Sequence, residues 1–324
     1  MGMLENLNSL EGIKNLKIGV LEGGVSSERE ISFLSGKEAF LALKRQGLNV
    51  EEVVIDTDDP AKVKNILLER CIELAFIALH GEFGEDGRIQ EILESIKIPY
   101  TGSGPLASRR AMDKIISKRI FIDNDIPTPN FYVLKRGKYS IAPFYFPKVI
   151  KPYYSGSSIG VFLVNSLKEW ERGVSEAFKV SEKLIIEDYI EGRELTVGIL
   201  DDEALSVVEI IPKKEYFDFV SKYSDGMAGF EAPARLDEEV YKKTMDIAER
   251  AHRSLGCRHF SRVDIRLDRN NNPFVLEVNS IPGLTSHSLL PLSARVRGIS
   301  FDELILRMIE LSLEKYEEKE KQKV

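Results

Sequence analysis

The stretch SRVDIRLDRNNNPFVLEVN, running from Ser261 to Asn279, alternates apolar and polar residues on both sides of Asn270-Asn271. Asparagine tolerates the positive φ of a tight turn, so the pattern predicts a β-hairpin. With those two asparagines as the turn, Arg269 faces Asn272, Asp264 lies opposite Glu277, and Arg262 lies opposite Asn279. Side chains alternate along a strand, which puts Arg262, Asp264, Glu277 and Asn279 on one face and Val263, Ile265, Leu276 and Val278 on the other. Two carboxylates opposed across a ladder repel, at a cost of up to about 1 kcal/mol unless a cation lies between them. A hard divalent ion with oxygen ligands resolves that conflict, and magnesium carrying nucleotide phosphates is its usual form. The plainer alternative is a solvated face on which Arg262 and Arg266 neutralise the acids.

Upstream of the hairpin the chain divides by pattern. From Lys17 it reads as strand KIGVLEGG, a helix from Ser27 to Gln46, strand VEEVVID, a helix after Pro60, strand LAFIALH and a helix from Asp86 to Ile96. Alternation of this kind makes a parallel sheet covered on both faces. Ligands gather beyond the carboxyl ends of such strands, which places Gly23 to Glu28 and His80 to Gly87 on one rim. After a helix around MDKIISKRIFI, the segment NDIPTPN marks a break. The pattern then changes to PKVIKP and SSIGVFLV around a Gly/Ser turn, a helix from Leu167 to Phe178, and strands KLIIEDYI, ELTVGIL and ALSVVEIIP. This region reads as α+β with antiparallel sheet. The polar segment Lys213 to Phe230 reads as a long loop of lid type, and Glu238 to Leu255 as a helix.

Composition limits the function classes. The 324 residues carry 45 Lys and Arg against 52 Asp and Glu, a formal charge of −7 that argues against a nucleic-acid surface. No apolar run reaches the length that spans a bilayer, and MGMLENLNSLEGIKN lacks the order of a secretory signal, so a cytoplasmic protein without membrane partners is expected. Cys71 and Cys257 lack metal or disulfide spacing and read as buried thiols. The tail EKYEEKEKQKV reads as a solvated helix end, and the residues before Asn15 have no assignable role.

The order of an acid, a hairpin, Glu-x-Asn and a Pro-Gly turn resembles the metal-binding end of ATP-grasp ligases, and NSIPGLTSHSLLP from Asn279 is similar to the D-alanine–D-alanine ligase family. GGVSSEREIS from Gly23, ALHGEFGEDGRIQ from Ala78, PYTGSGP from Pro99, MDK at Met112 and KPYYSGSSIG from Lys151 follow in that family's order. The resemblance implies an N-terminal parallel-sheet (pre-ATP-grasp) α/β domain, then an ATP-grasp fold of two antiparallel-sheet α+β lobes. The divisions it implies are an extension at 1–16, a substrate-binding domain at 17–109, a central lobe at 110–197 and a C-terminal lobe at 198–324, with the lid loop at 213–230. It further implies ligation of two D-alanines at the expense of ATP through a D-alanyl phosphate, for peptidoglycan precursor synthesis.

The absence of GxxxxGK[ST] excludes a P-loop, so phosphates are held otherwise. By the resemblance, Lys114 and Lys151 contact them, with Ser157 and Ser158 of the Gly/Ser turn closing over them. Glu187, Ile190 and Glu194 then serve the base and ribose. Asp264, Glu277 and Asn279 hold Mg2+ or Mn2+, a pair per site, and a role for K+ stays open. Arg262 and the Gly283 amide stabilise the acyl phosphate and the tetrahedral oxyanion. Glycine at 283 has a rationale of its own, since the second residue of a Pro-Gly turn can take positive φ and bring its amide close to a ligand. Glu28 meets the ammonium of the first D-alanine and His80 lies near its carboxylate, whereas Lys222, Ser288 and Leu289 receive the second. Tyr223, Ser157 and Glu28 form a trio that couples lid closure to binding, and a tyrosine there favours peptide over ester formation. A homodimer through the N-terminal domain is implied as well.

Alternatives stay in view. SERE from Ser27 is also a capping box. D-Lactate or D-serine could be the acceptor, the chain could be a non-catalytic ATP-binding module, and Gly102 to Ala107 formally matches GxGxxA with Asp123 downstream. Asp123 ends a helix, whereas a dinucleotide-binding acid should end a second parallel strand. Three departures from the family pattern stand out: Ser155 where many relatives carry glutamate, Asp188 where many carry lysine, and the segment GFEAPARL.

Overall fold

The computed structural model describes residues 10–138, 142–154, 156–212 and 228–321. After a short helix, α1 (Leu10–Lys14), three strands β1 (Ile18–Gly23), β2 (Val50–Ile55) and β3 (Leu74–Ile77) form a parallel sheet in the order β2-β1-β3. All of β1 and β3 is buried, as a sheet covered on both faces requires. Helices α2 (Arg29–Arg45), α3 (Pro60–Glu69) and α4 (Arg88–Ser95) follow the three strands. Asp59 accepts from the amides of Ala61 and Lys62, and Pro60 occupies the first turn, so α3 starts where its orphan donors are met. Of the segment before Asn15, Ile13 of α1 is fully buried in the core formed by Ile18, Val20 and Leu43.

The helix expected around MDKIISKRIFI is two helices, α5 (Pro105–Met112) and α6 (Lys114–Asp123). Asp113 lies between them with ψ 100, and its side chain caps Ile115 and Ile116. A four-stranded antiparallel sheet comes next, ordered β4-β7-β5-β6, from β4 (Phe131–Lys135), β5 (Lys148–Pro152), β6 (Phe162–Val164) and β7 (Lys183–Asp188). The edge strand β4 was not legible in the sequence. Helix α7 (Leu167–Val180) covers this sheet through Trp170 and Ala177. The second antiparallel sheet has five strands, β8 (Gly192–Leu200), β9 (Glu203–Pro212), β10 (Ala228–Glu231), β11 (Phe260–Asp268) and β12 (Pro273–Asn279), in the order β10-β9-β8-β11-β12. Helix α8 (Glu238–Leu255) packs on it through Ile247, Ala251 and Leu255 and ends at Gly256, whose φ of 77 is a left-handed cap. Two helices close the chain, α9 (Leu289–Val296) and α10 (Phe301–Lys321). They pack back onto the first sheet, where Leu290, Ile305 and Met308 share one core with Ile18, Phe76 and Leu43.

Several expectations need correction. The divisions at Arg109 and Val197 fall inside α5 and β8. Residues 213–227 of the expected lid loop lie outside the described residues, and its end is strand β10, paired with β9. Cys257 is buried, but Cys71 is exposed in a turn with φ 52. The hairpin turn holds Arg269, Asn270 and Asn271 rather than two asparagines, since Asp268 N–H donates to the Asn272 carbonyl at 3.0 Å and Asn271 has φ 61. A shift between Asp264 and Ile265 offsets that extra residue, so Asp264 still pairs with Glu277 and Arg262 with Asn279. The buried face therefore contains Val275 in place of the expected Leu276. No described helix is long and apolar enough to cross a membrane.

Candidate active site

The carboxyl ends of β1 and β3 and the inner end of the β11–β12 hairpin face one another across a cleft. Its lining brings together Glu28, His80, Glu85, Gly156, Ser157, Ser158, Arg262, Glu277, Asn279 and Gly283. Eight of these ten were expected from the sequence, and Glu85 and Gly156 were not singled out. Glu28 stands at the N-terminus of α2 but makes no side-chain capping bond there, whereas Ser26 Oγ receives the Glu28 amide at 3.1 Å. The capping-box alternative therefore fails, and the carboxylate is turned to the cleft. A Cβ added to Gly156 would lie 2.2 Å from Glu28 Oε1, so the Gly/Ser turn approaches this acid as only glycine permits.

His80 is buried with both ring nitrogens engaged. Nδ1 lies 3.1 Å from the Ile281 carbonyl, which can only accept, so Nδ1 carries the proton. In the neutral ring Nε2 then accepts from Ser35 Oγ at 2.8 Å, and Ser35 in turn receives the Leu284 amide at 3.1 Å. The ring ties the first sheet to the Pro-Gly turn. Glu85 Oε1 is 3.5 Å from Nδ1. Burial pushes the Glu85 carboxyl up; the His80 hydrogen bond is the next influence and opposes it, the Glu28 charge adds to the rise, and the net direction is upward.

At the hairpin, Asp264 Oδ1 accepts from Thr196 Oγ1 at 2.7 Å and from Arg262 Nε at 2.9 Å. Its Oδ2 accepts from Arg262 Nη2 at 2.8 Å and from Asn279 Nδ2 at 3.2 Å. Glu277 Oε2 is 3.0 Å from Lys114 Nζ, and its side chain remains 27% exposed. Among the described residues no trio of His, Cys, Asp or Glu forms a metal cluster. The set here is two carboxylates and one amide, a hard-oxygen set once the Asn279 amide rotates, which fits magnesium or manganese with water and phosphate completing the shell. Arg262 sits where an anion meeting that set would meet a guanidinium too.

Glu187 is buried on β7. Lys151 Nζ lies 2.8 Å from its Oε2 and Lys118 Nζ 3.2 Å from its Oε1. Burial is the largest influence on Glu187 and pushes it up, but the two lysines more than offset this and hold it below the usual carboxylate range. Burial likewise lowers Lys151, and Glu187, Glu277 and Glu194 together lift it above its ordinary value. Asp188 points the other way, to Lys148, its cross-strand partner, and to the Tyr145 hydroxyl. The acid that departs from the family pattern is thus matched by its own cation and leaves Glu187 undisturbed. Arg266 clasps the following segment: Nε donates to the Ile190 carbonyl at 3.1 Å, Nη2 to the Gly192 carbonyl at 2.9 Å, and Nη1 lies 3.5 Å from Glu194. Ser157 and Ser158 take φ of 54 and 57, the left-handed turn that carries the Gly/Ser segment over the cleft.

Gly283 does not take the positive φ expected of it. It is constrained instead by the close approach of Ser288, whose Oγ would lie 3.1 Å from an added Cβ. Ser288 Oγ receives the Thr285 amide at 3.0 Å, and Leu289 begins α9 directly after it. Lys222, Tyr223 and Ser155 lie outside the described residues.

Sequence comparison then decides the lineage. The D-ala D-ala ligase C-terminus profile matches residues 120–310 and the D-ala D-ala ligase N-terminus profile residues 57–103. This chain belongs to the D-alanine–D-alanine ligase family. The D-alanine–D-alanine ligase of Citrifermentans bemidjiense is 45% identical over 302 residues, covering 93% of this chain and 98% of that one. The same-named protein of Geotalea uraniireducens is 43% identical over 304 residues, covering 93% and 97%. The crystal structure of D-alanine–D-alanine ligase from Bacillus anthracis superposes with a TM-score of 0.83 at 35% identity, covering 94% and 99%, and the same enzyme complexed with ATP with a TM-score of 0.82 at 32%. The ATP-grasp fold of this ligase family is thereby the fold of the chain. Two further residues around the site escaped the sequence reading, Thr196 and Lys118, and Arg266, read there only as a cation that neutralises the hairpin acids, clasps the segment from Ile190 to Glu194 instead. Thr196 lies between Leu195 and Val197 on β8 and Lys118 between Ser117 and Arg119 on α6, and only contacts with distant segments distinguish them from packing or surface residues.

Proposed function

We propose that this chain ligates two D-alanines to D-alanyl-D-alanine, with ATP converted to ADP and phosphate, for peptidoglycan precursor synthesis. The observation that carries the reading is the opposition of Asp264 and Glu277, with Arg262 and Lys114 on them, across one cleft from Glu28. A free carboxylate is a poor acyl donor because its leaving group would be oxide. Phosphorylation by ATP turns that oxygen into phosphate, so an amine can attack the acyl carbon and expel it. Most of the work on such a transfer is positioning and charge stabilisation.

Within this reading Glu28 receives the ammonium of the first D-alanine, and His80, bonded to the Ile281 carbonyl with Glu85 beside it, places the Ile281–Gly283 turn against its carboxylate. Asp264, Glu277 and Asn279 would hold magnesium or manganese, two ions per site, and the ions would supply positive charge to the triphosphate. Lys114, Lys151, Ser157 and Ser158 hold phosphate oxygens. Glu187, Ile190 and Glu194 hold the base and ribose. Arg262 and the Gly283 amide face the acyl phosphate and then the tetrahedral oxyanion. Ser288 and Leu289, with Lys222, take the second D-alanine, whose amine must be neutral to attack. Tyr223, Ser157 and Glu28 link closure of the lid to occupancy, which keeps water from the acyl phosphate. The enzyme is cytoplasmic, where ATP is made. It is a homodimer through its first domain, a reading supported by Leu34 and Leu41, two exposed leucines one heptad apart on α2.

ADP release measured with D-alanine, L-alanine and D-lactate, with products weighed by mass spectrometry, tests the proposal. Release driven by D-alanine, with the D-alanyl dipeptide as product, is expected. Release indifferent to D-alanine, or an ester as the main product, overturns it.

A further inference from the structure

Lys118 is a lysine with no exposed surface, placed on α6 with its Nζ 3.2 Å from Glu187 Oε1. Besides its contact with Glu187 Oε1, its Nζ donates to Thr128 Oγ1 at 2.6 Å, and that hydroxyl donates to the Val275 carbonyl at 2.8 Å. The lysine therefore joins β7 of the central sheet to β12 of the hairpin sheet. Burying an ammonium with a carboxylate is costly unless geometry and hydrogen bonding repay it, so the arrangement is not explained as stability alone. Burial pushes the Lys118 ammonium down to about 8, which leaves it charged near neutrality.

We propose that Lys118 is a positioning residue for base recognition: by holding Glu187 Oε1 it fixes the carboxylate as an acceptor for a 6-amino purine, and it leaves Lys151 directed to phosphate. The inference rests on the ligase reading for the identity of the nucleotide. The chemistry is direct. A carboxylate accepts only, and each of its oxygens keeps a lone pair after bonding one lysine. The base edge that meets it must donate, as a 6-amino group does and a 6-oxo group does not. Without Lys118, Lys151 is the remaining cation for both oxygens of Glu187. The carboxylate then turns, and Lys151 is drawn away from the triphosphate.

Calorimetric binding of ATP and of ITP, each with magnesium, to the full-length wild type, Lys118→Met and Lys118→Arg tests the proposal. The wild type should prefer ATP. Lys118→Met should lose about tenfold or more in ATP affinity with a smaller loss for ITP, so that their ratio moves toward one, a tenfold change being about 1.4 kcal/mol. Lys118→Arg, which keeps the charge, should restore most of the ratio. Equal losses for both nucleotides in Lys118→Met, or an unchanged preference for ATP, overturn the role. If Lys118→Met does not fold, Thr128→Val removes one anchor of the same lysine and should lower the ATP/ITP ratio in part; an unchanged ratio there overturns it equally. Loss of D-alanine-dependent turnover in the wild type would sink the ligase reading while leaving this binding ratio to be judged by itself.

Discussion

Glu187 and Glu277 are both strand glutamates paired with lysines, and both act on Lys151, yet Glu187 is 1% exposed while the Glu277 side chain is 27% exposed. The difference follows from what lies above each. Glu187 is buried with a lysine on each oxygen, and those two contacts fix its orientation. Glu277 stands at the mouth of the hairpin, where Lys114 can be traded for another cation arriving with a ligand. A sealed acid suits recognition of a neutral base edge, and an open one suits reversible capture of a metal–phosphate complex. Glu22 supplies the third case. It is buried on β1 beside Gly36 without a lysine bonded to it, and burial, then Glu52, push its pKa up to about 7.

The largest effect that would break this comparison is at the open pair. Asp264→Asn and Glu277→Gln should each reduce D-alanine-dependent ADP release by about a thousandfold or more, since charge stabilisation at the transferring group is lost, with the thermal midpoint little changed. Turnover near the parental rate would end the metal reading. Gly156→Ala comes next. Its methyl would overlap Glu28 Oε1 at 2.2 Å, and a displacement near 1 Å of the carboxylate proposed to meet the substrate ammonium is expected to cost about a hundredfold in kcat/KM. Thr196→Val deletes the 2.7 Å bond to Asp264 and should weaken magnesium activation by about tenfold, read as the metal concentration giving half-maximal rate.

The smallest effect concerns Glu22 and stability. Its folded pKa, about 7, lies above the unfolded value near 4.5, so the folded state binds the extra proton between those pH values. Stability from this group is therefore complete below pH 4.5 and is lost as pH rises toward 7, a slope that Glu22→Gln should remove by on the order of 2 kcal/mol in urea unfolding. An identical pH slope in the variant would mean that Glu22 is not protonated in the fold.

Much of this was legible in the sequence, and the hairpin shows both how far and why. The opposition of Asp264 and Glu277 was read correctly, although the turn holds three residues and a bulge follows it. The two departures cancel at the acids and not at the packing face, where Val275 replaces Leu276. Alternation carries strand identity because neighbouring side chains point to opposite faces, but it does not count bulges. Glycine at 283 was read as a matter of φ and proves to be one of space, because the limiting contact comes from Ser288, five residues further on.

Taken alone, the chain's order of amino acids determined the parallel and antiparallel regions, the limits of several helices such as Glu238–Leu255, and the residue types that meet in the cleft, because each of these depends on near neighbours or on a motif read in sequence. Tertiary structure alone decided that α9 and α10 complete the first core, that Lys118 reaches Glu187, that Thr196 and Arg262 share Asp264, and that Gly156 lies against Glu28. Burial and charge pairing join segments far apart in the chain, and no local period encodes which of them will touch.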